Sequence, residues 1–550
     1  MQSSEKARLF KRATLWATVV RVSVVLVVPM LFGCSRSSES KPDLKRLRVG
    51  FEVKISSLDP IKIHDAYISR IIGQVLEGLV GLDEGNNVVP ILAESWSSDT
   101  SGRIWNFQLR KGVLFHESSI FGEAKTRELK ADDVSFSLQR ILSKQSMVGF
   151  ALQGVIKGDD AFTSGKTQTL DGVHVLGDYQ IQIELASPDP LFVNRFTSVM
   201  FAVVPREIEK LDPNAFGERV TVGTGPFRVA QQSETSVLLE QNKSYRQNMN
   251  GGLAQVQFSV IENDQIRLAE LRNGNLDLVH VPLSGAHGII AKTVNDNNFQ
   301  LNAGWSAFEL SVVDTFNCTF LGMHGQKLDP NLRRAINVAI NRKELVSLFP
   351  SGLAEPTIGP ISHNFPGYKP PNVDKVYSPQ QANSLIAAIP KPIEIEVLVH
   401  EKAGAEQIGQ IIQSQLREVG IQVKLTKLDY NAVIQRMIDG NFDAFVLFFE
   451  YVYATPGPIL EQLFHSGRIP SPNFWRYKNP EMDTLLRGFD DVKSVDEANL
   501  LTRRVVEFIQ RDPPAAFLFH TKLPILHRKQ LGHIPYNGHS VPLLWKVQPK

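Results

Sequence analysis

Residues 394–449 read EIEVLVHEKAGAEQIGQIIQSQLREVGIQVKLTKLDYNAVIQRMIDGNFDAFVLFF. Glu394 to Val399 is an apolar run of strand length, and Ala405 to Val419 is a helix stopped by Gly420, a residue that enters the left-handed conformation without strain. Ile421 to Leu425 returns as a strand, Tyr430 to Asp439 as a helix, and Phe442 to Phe449 as a strand with little polar interruption. The order β-α-β-α-β with apolar strands defines an α/β layer whose parallel strands are buried on both faces.

The same alternation extends in both directions. Downstream, Ala498 to Gln510 is a helix followed by apolar Phe517-Leu518-Phe519. Upstream, Asn331 to Phe349 reads as one long helix between Pro330 and Pro350, Gln265 to Asn273 as a helix stopped by Gly274, and Asp277 to Val281 as a short strand. Near the start, Leu47 to Ile55 is a strand closed by Leu58-Asp59-Pro60. Ile68 to Leu79 has apolar residues at 68, 71, 72, 75, 76 and 79, the spacing of a helix with one buried face. Gly81 to Asn87 is a turn, Ile104 to Leu109 and Tyr179 to Leu185 alternate as half-buried strands, and Ala131-Asp132-Asp133 opens a helix with acids in its first turn. No self-repeat of 20–50 residues is present, which excludes solenoids and propellers.

A chain of 550 residues holds about three or four domains at ~150 residues each. With 43% hydrophobic and 21% charged residues it is an ordinary packed protein, and wholesale disorder is excluded. Lys and Arg total 59 against 57 Asp and Glu, a net charge of +2 without the basic excess of a nucleic-acid binder. Two cysteines support neither a disulfide framework nor a Cys-rich zinc site.

The first 34 residues are an address. Lys6, Arg8, Lys11, Arg12 and Arg21 form a basic leader, and Val22 to Phe32 is an apolar core too short to span ~30 Å of hydrocarbon. It ends in Leu31-Phe32-Gly33-Cys34 ahead of a polar tether, the arrangement of a bacterial lipobox: residues 1–33 are read as a signal peptide, Cys34 as the lipidated first residue and 34–46 as a lipid-anchored tether. Each acyl chain contributes ~0.8 kcal/mol per buried CH₂, so several chains hold a soluble body firmly at a membrane. Cys318, in an apolar stretch, is read as core packing.

No catalytic motif stands. Val222-Gly223-Thr224-Gly225-Pro226-Phe227 contains G-x-G, but Arg228 replaces the third glycine and Pro226 removes an amide that a phosphate cradle needs. His116-Glu117 and His400-Glu401 lack the second histidine of a zinc protease helix. There is no P-loop and no G-x-S-x-G elbow. No metal site and no cofactor are expected.

Seven blocks in order resemble the bacterial extracellular solute-binding proteins of peptide and nickel ABC importers. They are Leu76-Glu77-Gly78-Leu79-Val80 with Pro90 to Trp96, Trp105 to His116, Lys130 to Ser137, Val222 to Phe227, Leu271 to Asp277, Leu332 to Arg342 and Leu416 to Val423. The resemblance as a whole runs from about residue 47 to 520. Each also has a plain scaffold reading: Trp96, Trp105 and Phe107 as core aromatics, Gly223 and Gly225 as residues allowing unusual backbone angles, Arg110 and Arg333 as partners of acids. The resemblance implies a periplasmic-binding-protein type II-like α/β architecture, two lobes around a hinged cleft plus an inserted domain. Lobe I is discontinuous (47–75, 220–300 and 505–550), the insertion is 76–219, and lobe III is 301–504. It further implies an extended ligand paired by main chain and side chains in roomy wet pockets.

Peptide-binding relatives carry W-x-x-D-Y-x-x-P, whose Asp neutralises the peptide ammonium. Here the stretch is Phe449-Glu450-Tyr451-Val452-Tyr453-Ala454-Thr455-Pro456, so Val452 stands at the Asp position. Either Glu450 supplies the carboxylate, sharing a face with Val452 if the strand is regular, or the ligand presents no free amine there. A basic residue that some relatives place near Val446 is also missing. Lys54, in an expected strand Val53 to Ser56, is a candidate for a ligand carboxylate. Phe449, Glu450, Tyr451, Val452 and Tyr453 are expected to line the cleft, with Lys54, Ile55 and Tyr430 opposite or adjacent, and Met437 also falls where relatives have cleft residues.

The expectation is a monomeric, non-catalytic, membrane-anchored binding protein of the cell envelope. It passes oligopeptides or peptide-like solutes to an ABC permease with ATPase subunits and does not bind nucleic acid. The alternatives are a binder specialised for a nickel chelate, haem or a modified cell-wall peptide, an anchored hydrolase, and a surface adhesin or receptor on the same scaffold.

Overall fold

One strand, Ala515–Arg528, runs through both halves of the fold. Its first residues pair antiparallel with Asn317–Met323 and Ala354–Pro356, and its last with Phe308–Asp314 and Leu278–His280. It therefore stands inside a 12-stranded sheet. On one side follow Asn317–Met323, Ala444–Glu450, Ile393–His400 and Ile421–Leu428. On the other follow Leu278–His280, Arg46–Phe51, Gln255–Val260, Ser236–Gln241 and Phe227–Gln232. The structure is a computed structural model, and it describes residues 45–550 except 64–65, 296–297, 366 and 402–403. The expected leader, Cys34 and all but the end of the tether lie outside the described residues.

The β-α-β-α-β reading of 394–449 matches the structure. Ile393–His400 pairs parallel with both Ile421–Leu428 and Ala444–Glu450. Helix Ala405–Glu418 buries Ile408, Ile412 and Leu416, and Gly409 lets it approach closely: a Cβ there would lie 2.8 Å from Val399 Cγ1. Asp429 caps helix Tyr430–Asp439 by accepting from the Ala432 N–H at 3.0 Å. Ala93–Ser98, Ile104–Leu109, Gln180–Glu184 and Val173–Gly177 form a separate antiparallel sheet whose inner face carries Trp105 and Phe107. Their rings pack on Phe192 and Phe196.

Some expectations change. Asn331 to Phe349 is not one helix but two, Pro330–Ala339 and Arg342–Val346. The break at Ile340 frees the Asn341 side chain to cap the second helix. It also turns the buried Arg342 inward, where it donates to the carbonyls of Phe517 (2.6 Å) and Asn337 (3.1 Å) and to Asn337 Oδ1 (2.6 Å). The turn 81–87 is the tip of a short hairpin, Val80–Leu82 with Val88–Pro90. The first strand ends at Phe51, not Ile55. Arg333 does pair with an acid, Asp512, but Arg110 donates to the Ile91 carbonyl at 2.8 Å. Cys318 is fully buried, and burial pushes its thiol pKa well up.

Two of the quoted blocks meet at His116. Its Nε2 donates to the Gly225 carbonyl (2.9 Å), its Nδ1 accepts from the Gly223 N–H (3.3 Å), and its own N–H donates to the Gly223 carbonyl (2.7 Å). Glu77, from the first block, accepts from Thr224 Oγ1 (2.8 Å) and from both terminal nitrogens of Arg246 (2.8 Å each).

The core beneath 444–450 is aromatic. Trp475 is fully buried, donates Nε1–H to the Leu463 carbonyl at 2.6 Å, and packs edge-on against Phe320 with centroids 5.2 Å apart. Trp475→Ala is expected to cost about 3–5 kcal/mol, because it opens a cavity and strips the Leu463 carbonyl of its donor. Equilibrium denaturation checks this; a loss below about 1 kcal/mol would mean the site collapses freely.

Candidate functional site

Parallel strands place all their C-terminal ends on one edge, where side chains and loops converge without a covering ladder. Here two such edges belong to one sheet. The first gathers the ends of Ile393–His400, Ile421–Leu428 and Ala444–Glu450. The second gathers those of Arg46–Phe51, Gln255–Val260 and Leu278–His280.

At the second edge stands a buried polar cluster. Glu52 directly follows the strand Arg46–Phe51. Its Oε1 lies 2.8 Å from His280 Nδ1 and 3.3 Å from Arg70 Nη1, Arg70 coming from helix Ala66–Val75. Arg70 Nη1 is 3.1 Å from His280 Nδ1, and His280 Nε2 is 3.2 Å from the Tyr536 hydroxyl. Burial works against the Glu52 charge, but His280 and Arg70 outweigh it and hold the carboxyl at about 2. Burial, with Arg70 beside it, pushes His280 below its ordinary value. Burial also opposes the Arg70 charge, yet Glu52 and then Glu450 raise its pKa overall.

Glu450 closes the first edge. It ends the strand Ala444–Glu450 opposite Asn317, whose amide is fixed across the crossing strand by Thr521: its Oδ1 accepts from the Thr521 N–H (2.9 Å) and its Nδ2 donates to the Thr521 carbonyl (2.6 Å). The segment 536–539 joins the two edges. Tyr536 touches His280, the Gly538 carbonyl accepts from the Phe316 N–H (2.9 Å), and the Phe316 carbonyl accepts from the Tyr451 N–H (2.6 Å).

The expected site residues fall as follows. Phe449, half-buried, packs on Phe320 with centroids 4.8 Å apart. Glu450 and Val452 are half-buried, but they do not share a face of a regular strand, because the strand stops at Glu450. Tyr451 is buried, and its hydroxyl has no hydrogen-bond partner among the described residues. Tyr453 is buried too; its hydroxyl accepts from Gln462 Nε2 at 2.9 Å, and burial pushes its pKa up to about 12. Tyr430 lies two strands away, exposed, its ring edge-on to His400 at 5.4 Å. Met437, on the same helix, is fully buried. Lys54 is exposed and Ile55 buried on the other edge, in a stretch that is not a strand; the Ile55 N–H donates to the Glu234 carbonyl at 2.9 Å.

Sequence reasoning missed Glu52, Arg70, His280 and Tyr536. The available signal was slight: an arginine between the apolar positions 68 and 71 of an amphipathic helix, and an acid just past a strand. Beyond Tyr453, a groove of about 300 Å³ opens between residues 153–195 and 455–498, with Asp189, Arg195, Pro458, Glu461, Phe489 and Asp490 in its wall. Among the described residues no cluster of three or more His, Cys, Asp or Glu is arranged to hold a metal ion, and no helix is long and apolar enough to cross a membrane.

This architecture is that of a binding protein built around the C-terminal ends of two strand sets, and the chain belongs to the bacterial extracellular solute-binding proteins, family 5, whose middle-region model matches residues 87–471. The oligopeptide-binding protein AppA of Bacillus subtilis is 25% identical over 548 residues, covering 91% of this chain and 93% of that protein. Two solved structures share the fold. DppA of Helicobacter pylori in complex with the peptide STSA has a TM-score of 0.75 at 23% identity, over 92% of this chain and 98% of that one. The murein tripeptide binding protein MppA of Escherichia coli has a TM-score of 0.76 at 21% identity, over the same 92% and 98%.

Proposed function

We propose that this chain is the substrate-binding lipoprotein of an ABC importer. It captures oligopeptides or peptide-like solutes between the two strand edges and delivers them to a permease driven by ATPase subunits. The observation that carries this is the pair of strand-end edges in one sheet, bridged by the segment 536–539, with Glu450 ending one set and the Glu52–Arg70–His280 cluster at the end of the other. Family membership and a peptide-binding relative matched along most of its length support it.

The lobes in this reading are 47–75, 220–300 and 505–550 for the first, 76–219 for the insertion and 301–504 for the third. The shared strand Ala515–Arg528 acts as the hinge element. Phe449, Glu450 and Val452 supply one wall, with Tyr451 and Tyr453 behind them and Tyr430 at its margin. Lys54 and Ile55 belong to the facing wall. The protein acts as a monomer without catalysis or a resident cofactor, held at the membrane outside the cytoplasm by a lipid on Cys34.

The test is identification of what the protein carries. The full-length chain is extracted in mild detergent, purified without denaturation and then unfolded, and the released small molecules are analysed by mass spectrometry. A ladder of mixed short peptides is expected, since main-chain pairing recognises any sequence. Val452, which stands where peptide-binding relatives carry the carboxylate that meets the ligand ammonium, favours the second reading, a binder specialised for a nickel chelate, haem or a modified cell-wall peptide. A single such species in the extract would replace the general peptide reading.

A further inference from the structure

We propose that the end of the sheet remote from the Glu52 edge is a docking face for an anionic bilayer surface, and that it holds the cleft pointing away from the membrane. The inference rests on the lipoprotein reading above.

The strands Arg46–Phe51, Gln255–Val260 and Leu278–His280 run parallel, so their N-terminal ends share one edge, opposite the one that holds Glu52. Ala515–Arg528 and Ser236–Gln241 run the other way and finish at that same edge. Exposed cations stand at these ends: Lys45 and Arg46 where the first strand begins, Lys243 after Gln241 and Lys529 after Arg528. Lys546 and Lys550, also exposed, join them from the last segment. The Lys550 N–H donates to the Gln530 carbonyl at 2.8 Å, and the Trp545 ring lies 6.4 Å from that of Tyr245. The N–H groups of Ala254 and Gln255 donate to the Lys45 carbonyl at 2.7 and 3.0 Å. The six cations therefore share one pole of the body.

Neighbouring acids do not cancel them. Asp277 is taken by Arg48 at 2.7 Å and Arg528 at 2.9 Å, and Glu240 by Arg228 at 2.6 Å. Asp83 and Glu84, at a hairpin tip beside Lys546 and His533, offset part of the charge. The basic character is local. The leader has Lys6, Arg8, Lys11, Arg12 and Arg21 against Glu5, so of the chain's formal +2, residues 34–550 account for −2. A slightly acidic body with one basic pole is turned by a negative surface to present that pole.

The tether decides which surface this is. Residues 35–44 span at most about 36 Å when fully extended, and they join the body at Lys45, inside the basic pole. The bilayer that holds the Cys34 lipid is thus kept at high effective concentration near these side chains. Each Lys or Arg close to anionic headgroups strengthens adsorption about fivefold, and the attraction fades within roughly 8 Å at physiological salt. The strand Arg46–Phe51 rises about 17 Å from this pole to the Glu52 edge, so docking by one end leaves the other facing solute.

The experiment reconstitutes the full-length lipidated chain into vesicles of phosphatidylglycerol or of phosphatidylcholine and reads the acetylation rate of each lysine by mass spectrometry. In phosphatidylglycerol, Lys529, Lys546 and Lys550 are expected to react about fivefold or more slowly than in phosphatidylcholine, the scale of one cation at the surface. Lys54, exposed at the opposite edge, should react equally in both. About 1 M salt, where screening acts within roughly 3 Å, should remove the difference. The triple variant Lys529→Glu, Lys546→Glu, Lys550→Glu should lose the protection of Lys243, and a thermal melt verifies that it is folded. If it is not, the wild-type comparison between lipids and salts decides the matter. Equal rates in the two lipids, or protection centred on Lys54, would overturn the docking face while leaving the lipoprotein reading intact. Failure of the protein to float with either kind of vesicle would overturn the anchor, and the inference with it.

Discussion

Lowering the pH from 7 toward 4.5 is expected to destabilise this protein steeply, with net proton uptake on unfolding. Three histidines, His116, His520 and His539, are buried, and burial pushes each down to about 4 from an ordinary 6.5. Their surroundings are built for the neutral ring. His116 donates from one nitrogen and accepts a backbone N–H at the other, so a second ring proton would face that N–H. His539 has Nε2 3.1 Å from Thr197 Oγ1 and also bonds the backbone of Tyr451. His520 bonds the Asn317 carbonyl, and its buried Nε2 has no partner among the described residues.

Between pH 6.5 and 4 the unfolded chain holds these protons and the folded chain does not, so stability is present above 6.5 and lost as the pH falls toward 4. Each group contributes about 1.4 kcal/mol per pH unit inside that window, and three together about 4 kcal/mol per unit at its centre. His280, His324 and His527 are shifted the same way. Glu52, held at about 2, extends the loss below 4.5. Among the histidines of the described residues, His363 is the one raised, by Glu355; its contribution is full below 6.5 and fades as the pH rises above that, outside this window. Denaturant midpoints by tryptophan fluorescence from pH 7.5 to 4.5 measure the slope. A flat profile between 7 and 5 would show that the buried rings are protonated in the folded protein. His539→Gln should reduce the uptake by about one proton.

Gly223→Ala is expected to be among the most damaging single-methyl additions in the chain, about 4 kcal/mol or more. A Cβ at 223 would lie 2.1 Å from the Val75 carbonyl oxygen and 2.5 Å from Leu76 Cδ2. Neither side can retreat. The Gly225 N–H is bonded to that same Val75 oxygen at 3.0 Å, and the Gly223 carbonyl holds the His116 N–H. This corrects the expectation that the two glycines serve unusual angles: neither has a positive φ, and what they provide is close approach to the end of helix Ala66–Val75. Because that helix carries Arg70, a displaced 223–225 strip also moves the cluster at the cleft. The comparison is Gly177→Ala, where nothing lies within 4 Å and φ is ordinary; it should stay within about 0.5 kcal/mol. Similar melting temperatures for the two variants would show that helix and strip slide apart freely.

Local chemistry settled a large share of this protein. The apolar strands and capped helices of 394–449, the alternating strand Ile104–Leu109 and the amphipathic helix around 68–75 were readable, because hydrophobic period and caps act over a few residues. The expected continuation of that helix to Leu79 is absent, the helix ending at Val75. The segment 449–453 could be singled out by position along the chain.

Tertiary structure alone decided the rest. The break at Ile340 depends on Arg342 reaching Phe517, 175 residues further on. The need for glycine at 223 comes from a carbonyl at 75. The surroundings of Arg70 depend on His280, at a separation of 210 residues. Sequence by itself determined which elements form and the family to which they belong. Only folding decided which charges face one another at the cleft, because electrostatic partners are chosen by distance in space, and no local pattern encodes that distance.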